Sequence, residues 1–444
     1  MLDIKYIREN SEKIKEAVKN KNIDLNIDEL LAIDDKRRAL QMEIDEVRAK
    51  KNKLADAGKS GKPSKEQIEE GKLLKTKVIE IEVESKIIQD KYLALMVKAP
   101  TIPSADTPIG KSSEDNIVIG EWGAKPEFRF RPKDHIEIAE DLGLIDFERG
   151  AKVAGYRGYY LKGKGTQLVM SLMMYALNKM TEKGYVPFIP PTLVKGFALF
   201  GSGYFKGVEY DGDVDEIYQI ATSDKEADPS ASSGQDGSKI KEQKFLVGTA
   251  EPSLLAYYSG ETLKEEDLPI KICGFSPCYR SEIGSYGKDT KGLYRVHEFM
   301  KVEQVVICKA DIEEANKLQE EMIGISKEMH EELGFNYRQL KICTGDMSAG
   351  KYKAYDLEAW LPGSNRWAET GSASNFLDWQ SRRLNVKYID KNCEKKYVYM
   401  LNNTAMPSPR PFMTILETFQ TKKGTVEIPQ VLQKYTGFGE ITKL

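Results

Sequence analysis

Histidine is scarce in this chain: three occur in 444 residues, at positions 135, 297 and 330. That number gives no support to a histidine-rich metal site or to a Ser-His-Asp triad. Cysteine is nearly as rare, with only Cys273, Cys278, Cys308, Cys343 and Cys393. So few thiols in so long a chain are no disulfide framework. Cys273 and Cys278 have no accompanying Cys or His pair at zinc-finger spacing, so no zinc is expected. All five read as buried, reduced thiols of a cytoplasmic protein. Long apolar runs are also missing. The most apolar stretch, Leu168 to Leu177, is too short to span a bilayer. The opening MLDIKYIRENSEKIKE is charged from its third residue and has no apolar signal core. Neither export nor membrane insertion is expected. Net charge is lacking too: 66 Lys+Arg stand against 69 Asp+Glu, a balance of -3. Any nucleic-acid binding must therefore come from a local patch. There is no GxxxxGK[ST] and no HExxH, and Gly284-Ser285-Tyr286-Gly287 lacks the strand-helix setting of a dinucleotide fingerprint.

What remains is a chain too long for one ordinary core, which predicts two or three domains. Its first hundred residues are helical in pattern. A helix is expected over Ile4 to Asn20. Leu30, Ile33, Arg37, Leu40, Ile44, Val47, Lys51 and Leu54 then follow at steps of three and four. So do Leu74, Val78, Ile81, Ser85, Ile88, Tyr92 and Leu95, and this spacing is a coiled-coil seam. The breaker Asp56 to Ser64 lies between the two runs, so they should fold back as an antiparallel hairpin. Leu30 to Leu54 alone would reach roughly 37 Å at 1.5 Å per residue. Nothing else in the segment could bury the hairpin along its length, which predicts a projecting arm over about 30–97.

Charge along this arm is uneven. Arg48, Lys50, Lys51, Lys53, Lys59, Lys62, Lys65, Lys72, Lys75 and Lys77 face only Asp56, Glu66, Glu69 and Glu70, a local balance of +6 in a chain of -3. A charge run is commonly just a solvated face. A basic tip on a projecting arm of an acidic protein instead suits a phosphate backbone, read by shape as in double-helical RNA. Pro100 and Pro103 end the helical region. Residues 1–103 thus form one domain, 104–116 a linker and 117–444 a second domain.

The second domain mixes helices and strands without the alternation of a doubly wound sheet. Strands are expected at Tyr185–Ile189, Ile270–Phe275, Val302–Cys308, Tyr355–Trp360, Leu384–Ile389 and Tyr397–Leu401. Helices are expected at Leu168–Lys183, Ile312–Leu333 and Pro411–Phe419. The fold class is α+β with an antiparallel sheet. Ala221 to Gln243 is Ser-, Asp- and Gly-rich and reads as an exposed insertion. With so few histidines, chemistry by positioning and charge neutralisation around a nucleotide fits best.

The stretch FSPCYRSEIGSYGKDTKGLYRVHEFMKVEQ, Phe275 to Gln304, is a strand with Arg280 and Glu282, a polar loop, and a returning strand with Phe299 and Glu303. Such a hairpin can hold a phosphate and stack a base. It closely resembles motif 2 of class II aminoacyl-tRNA synthetases, in the form found in bacterial-type seryl-tRNA synthetases. Gly184 to Val194 is similar to motif 1. Thr249-Ala250-Glu251 matches the family's TAE, and Asn402 to Arg410 with Ile415-Leu416-Glu417 resembles motif 3. The family usually has Glu-Ile/Val-Ser-Ser-Cys-Ser-Asn-Phe where this chain has Glu369-Thr370-Gly371-Ser372-Ala373-Ser374-Asn375-Phe376.

The resemblance implies a class II antiparallel sheet flanked by helices, with an all-α coiled-coil arm. It implies ATP with Mg²⁺, L-serine, tRNA(Ser) and, as a further candidate, tRNA(Sec), acting on a homodimer. It assigns catalysis to Arg280 and Arg410. ATP falls to Arg280, Ser281, Glu282, Val296, His297, Glu298, Phe299, Glu369, Thr370, Gly371, Ser372 and Arg410, with Glu369 and Ser372 also on magnesium. Serine falls to Thr249, Ala250, Glu251, Arg280, Glu303, Asn402 and Thr404, and tRNA to the basic tip. The alternatives are a synthetase-like amino acid:carrier-protein ligase, expected to lack the arm, and a non-catalytic synthetase paralogue.

Overall fold

The computed structural model describes residues 1–58, 64–221, 243–283 and 292–443. Lys59, Lys62, nearly all of the 221–243 insertion and residues 284–291 lie outside the described residues. The chain divides into two compact units, Met1–Pro100 and Thr101–Leu444.

The first unit is helical. Two short helices, α1 (Ile4–Glu9) and α2 (Ser11–Asn20), stand where one was expected. The break falls at Asn10, whose side-chain amide donates to the Tyr6 carbonyl at 3.0 Å. Asparagine competes in this way for backbone groups that would otherwise continue the helix. Helices α3 (Ile27–Gly58) and α4 (Lys65–Met96) have 32 residues each, about 48 Å of helix. Ser64 opens α4 with a capping box to Gln67. Leu40, Ile44, Val47, Val78, Ile81 and Ile88 form the buried seam, with Ile33 and Leu74 beside it. From ion pair Lys36–Glu84 to ion pair Glu43–Lys77 the residue number rises on α3 and falls on α4, the sense of an antiparallel pair, and Arg48–Glu82 adds a third tie between the helices. The polar seam position Arg37 lays its guanidinium 4.6 Å from the centre of the Tyr92 ring and bonds the buried Asp34. Arg48, Lys50, Lys51, Lys53, Lys65, Lys72, Lys75 and Lys77 are all exposed.

The second unit is built on one sheet. Its strands are β1 (Ile117–Trp122), β2 (Val186–Phe188), β3 (Ile270–Tyr279), β4 (Glu298–Cys308), β5 (Tyr337–Lys341), β6 (Lys353–Leu361), β7 (Arg366–Asn375) and β8 (Tyr399–Pro407). They lie in the order β1-β5-β6-β7-β8-β4-β3-β2. Neighbours are antiparallel except β2, which pairs parallel to β3. Strand β4 shows the period-two logic of a sheet covered on both faces. Val302 and Val306 join the large core with helices α5 (Gly163–Glu182) and α7 (Ile312–Glu332). Val305 and Ile307 enter a second core with Ala250, Leu254 and Leu255, around the short α6 (Glu251–Ala256). Glu303 thus faces the α6 side.

Three expectations are corrected. The strand expected over Leu384–Ile389 is helix α8 (Trp379–Leu384), a turn at Asn385 with φ 53°, and a strand Lys387–Ile389. Strands β1, β5 and β7 were not foreseen. Cys393 is exposed while the other four thiols are buried; burial pushes Cys273 and Cys308 up to about 12. The polar segment 104–116 is hydrogen-bonded onto the second unit, with Ser104 N–H donating to the Tyr352 carbonyl at 2.9 Å and Thr344 N–H to the Pro108 carbonyl at 2.9 Å. The insertion joins a hairpin, Tyr218–Ile220 with Lys244–Leu246.

Candidate active site

A cleft of about 510 Å³ opens over β4, β7 and β8. It is lined by Arg280, Glu282, Tyr294, Arg295, Val296, Phe299, Lys301, Glu369, Thr370, Gly371, Thr404, Pro407, Pro409 and Arg410. Sequence motifs more than a hundred residues apart therefore meet in one place. Ser281, His297, Glu298 and Ser372 stand outside this lining. Ser281 lies under the surface with its hydroxyl unpartnered among the described residues. His297 holds the backbone: its Nδ1 lies 2.9 Å from the Arg280 carbonyl and 3.1 Å from the Tyr218 hydroxyl.

Arg280 leaves the end of β3 half-buried, with Nε donating to the Gly248 carbonyl at 3.3 Å. Its guanidinium lies 5.3 Å from the centre of the Phe299 ring. Glu282 follows at φ 54° and pairs with Arg295 at 2.8 Å. Across the cleft, Arg410 sits at the start of helix α9 (Pro409–Thr418). It donates to the Glu369 carbonyl at 2.9 Å and pairs with the Glu369 carboxylate at 3.4 Å. Its Nε bonds the Tyr294 carbonyl at 3.3 Å. Arg280 beside the Phe299 ring and Arg410, 4.9 Å from the centre of the Tyr294 ring, thus line one cleft, an arrangement that suits a phosphorylated ligand with an aromatic base.

Strand β7 carries the departure noted in the sequence, and its geometry explains it. Leu357 pairs with Gly371 and Glu358 with Glu369, so Thr370 is an extra residue in the ladder. This bulge turns Thr370 toward α7, where its hydroxyl lies 2.6 Å from His330 Nε2. His330 Nδ1 meets the Ser326 carbonyl at 2.7 Å. A carbonyl can only accept, so Nδ1 carries the proton and Thr370 donates to Nε2. Burial holds His330 down at about 4, which agrees with a neutral ring. The bulge also brings Glu369 and Ser372, three positions apart, onto one face with Asp356 and Glu358. Burial first, and the Glu369 carboxylate second, push the Asp356 carboxyl well above the usual range.

The residues that the resemblance assigns to serine lie deeper. Glu251 begins α6, buried, with Oε1 accepting from Asn402 at 2.7 Å and from Gln380 at 2.7 Å. Tyr204 donates to its other oxygen at 3.4 Å. Burial, and next the Glu303 carboxylate, push Glu251 up to about 7. The Thr249 hydroxyl is buried with no partner among the described residues. Ala250 is fully buried and packs over Gly274, where an added Cβ would come within 2.7 Å of it. Glu303 and Thr404 are opposite each other on β4 and β8, and the threonine hydroxyl donates to Glu303 Oε2 at 3.3 Å. Sequence reading missed Lys301, Gln380, Tyr204 and Asp356. Lys301 carried a signal: it alternates between Phe299 and Glu303 on one strand.

An antiparallel sheet carrying an arginine on a β-hairpin, with a second arginine at the head of a following helix, defines a class II aminoacyl-tRNA synthetase core. Residues 235–419 match the tRNA synthetase class II core domain for G, H, P, S and T, and residues 1–103 match the seryl-tRNA synthetase N-terminal domain. The chain is 40% identical over 447 aligned positions to the serine--tRNA ligase of Borrelia garinii subsp. bavariensis, covering 99% of each. It is 36% identical to that of Deinococcus radiodurans, again over 99% of each. The chain belongs to the seryl-tRNA synthetase family. The seryl-tRNA synthetase of Pyrococcus horikoshii, solved in complex with ATP, superposes over 100% of both chains with a TM-score of 0.86 at 36% identity. The cytoplasmic serine-tRNA ligase of Naegleria fowleri, in complex with AMP, gives 0.82 at 28%, over 100% of this chain and 99% of that one.

Proposed function

We propose that the chain activates L-serine with ATP and transfers the seryl group to the 3′-terminal ribose of tRNA(Ser). The observation that carries this reading is that Arg280, Phe299 and Arg410 line one cleft, with the buried carboxylates Glu303 and Glu251 behind its wall. In the first step a serine carboxylate oxygen bonds to the α-phosphorus and the bond to pyrophosphate breaks. Arg280 neutralises charge on the α-phosphate, Arg410 reaches the γ-phosphate, and Phe299 stacks on adenine. In the second step the ribose hydroxyl oxygen bonds to the seryl carbonyl carbon and AMP leaves. Positioning and charge neutralisation supply the acceleration. The amino acid's ammonium meets Glu251 and Thr249, whose buried hydroxyl has no hydrogen-bond partner among the described residues, with Asn402 beside them. Its side-chain hydroxyl meets Glu303 and Thr404.

Magnesium fits the donor set. Glu369, Ser372 and Asp356 offer hard oxygens, and a cation would offset both the burial and the Glu369 charge that raise Asp356. Among the described residues no cluster of three acidic, histidine or cysteine side chains is placed to hold a metal ion. When bound, Mg²⁺ supplies charge neutralisation on the phosphates.

The exposed basic residues of the α3–α4 hairpin bind the tRNA backbone; tRNA(Sec) is a second candidate substrate by the same contacts. Val186 on the edge strand β2 and Ile189 just after it are 57% and 85% exposed, and Leu193, in a separate small sheet, is 45% exposed, which suits a homodimer through Gly184–Val194. No helix among the described residues is long and apolar enough to cross a membrane. A cytoplasmic location is part of the proposal and rests on kinship with the bacterial serine--tRNA ligases. A carrier-protein ligase would have no use for a tRNA arm. Charging of total tRNA with serine, threonine, alanine and glycine tests the assignment: serine alone is the expected substrate, and efficient charging with another of the four overturns it.

The raised Glu251 carboxyl gives a pH dependence. An ammonium ligand needs the ionised form, which a group titrating at about 7 holds only above that pH. The serine KM in pyrophosphate exchange should therefore fall as pH rises from 6 to 8, with a flat ATP KM. In Glu251→Gln the serine KM should be high at every pH and the slope absent. A parent enzyme with a flat serine KM across this range would remove the role.

A further inference from the structure

Glu303 and Thr404 do not meet the cleft alone. Lys301, two residues before Glu303 on β4, is only 4% exposed, and its ammonium forms an ion pair with Glu303 Oε2. The same ammonium donates to the Thr404 hydroxyl oxygen at 3.2 Å. Thr404 in turn donates its one proton to Glu303 Oε2. The three side chains close a triangle in which Glu303 Oε2 takes both partners. Among the described residues no hydrogen bond reaches Glu303 Oε1. Lys301 and Thr404 line the cleft, whereas Glu303 lies behind them.

An ammonium has three N–H donors and no acceptor. Two are engaged by Glu303 and Thr404, and the third has no acceptor among the described residues. A ligand hydroxyl has one proton to give and an oxygen that accepts. Glu303 supplies only acceptors. Thr404, whose proton is already directed to Glu303, is left with acceptor capacity alone. A donor for the hydroxyl oxygen is thus missing from the pair that the sequence assigned. Lys301 is the charged donor at that wall.

Charge supports the same placement. Glu251 and Glu303 would leave two buried negative charges together, and Glu303 already raises Glu251 while Lys301 opposes that rise. With Lys301 and Arg280 present the four groups sum to zero, a match for a zwitterionic amino acid whose ammonium and carboxylate are held apart.

We propose that Lys301 is a specificity-determining residue of the amino-acid pocket, holding Glu303 and Thr404 in place and donating its third N–H to the hydroxyl oxygen of the substrate. This deepens the serine--tRNA ligase reading and rests on it. The alanine side chain would leave that N–H and Glu303 Oε1 unpaired in a buried site, which is a strong basis for rejection. Threonine keeps the hydroxyl and so is not distinguished from serine by Lys301.

Pyrophosphate exchange with serine, alanine and threonine tests the proposal on Lys301→Met. The serine KM should rise on the order of 10- to 100-fold, as for loss of a hydrogen bond to a charged group, with the ATP KM unchanged. The serine-to-alanine ratio of kcat/KM should narrow by a similar factor, while the serine-to-threonine ratio stays as in the parent. Lys301→Gln, which removes the charge but keeps an N–H donor, covers the case in which the methionine variant does not fold. It should give an intermediate serine-to-alanine ratio. A folded variant that keeps the parent's serine-to-alanine ratio overturns the proposal. Equal rises in the serine and ATP KM with that ratio unchanged would assign Lys301 a structural role and overturn it equally. A parent enzyme with no serine-dependent exchange would instead overturn the function on which the proposal rests.

Discussion

Arg280→Ala should lower serine-dependent pyrophosphate exchange by on the order of 10² to 10³, the usual loss when a preorganised donor to developing charge is removed. The guanidinium is held at the end of β3 by the Gly248 carbonyl at 3.3 Å and by the Phe299 ring, so it needs little reorganisation when the α-phosphate becomes pentavalent. Its replacement removes no ion pair among the described residues, and the melting temperature should move little. The loss belongs to kcat more than to the serine KM, because the interaction strengthens in the transition state. Exchange at the parental rate in this variant would show that the motif 2 hairpin does not hold the reacting phosphate.

Replacing Gln41 to Ile87 by a short turn should have a still larger effect on one half of the reaction and almost none on the other. Aminoacylation of tRNA should be abolished, while serine-dependent pyrophosphate exchange continues. The physical grounds are in the first unit alone. Its seam of Leu40, Ile44, Val47, Val78, Ile81 and Ile88 is buried within the α3–α4 pair, and its basic side chains are exposed. Arg48 and Lys77 are matched by Glu82 and Glu43 on the facing helix, so the charge available to a phosphate backbone lies beyond them, toward the turn. Binding through that charge should weaken steeply with salt. Equal loss of both activities in a folded variant would contradict this division of labour.

Much of this was legible in the sequence, and the illegible parts have physical reasons. The helical pair was legible because its apolar residues recur at steps of three and four over many turns. Strand β4 was legible because Val302 and the run Val305 to Cys308 are apolar and β-branched in the main, as a strand covered on both faces requires. Strand β7 was not: Ala368, Thr370, Gly371, Ala373 and Ser374 are small residues that pack against α7 and β8 without an apolar alternation to announce them. The sites at Arg280, Glu303, Glu369 and Arg410 came from resemblance and were then found lining or underlying one cleft. Gln380, which bonds Glu251, lies on α8, a helix that no periodicity marked in so short a segment. Lys301 was passed over because a lysine between two apolar strand positions reads as a solvated side chain, whereas here it is buried with Glu303.

The extra residue at Thr370 has a consequence for how this stretch can vary. Along a strand the side chains obey a parity rule, odd positions to one side and even to the other, and the bulge reverses that parity between Glu369 and Ser372. Exchange of the side chain at 370 only alters what His330 meets on the far face of the sheet. Loss of the position would restore a regular ladder and send either the carboxylate or the hydroxyl to the helix side. Residue number in this segment is therefore constrained by the cleft, while residue type at 370 answers to the opposite layer.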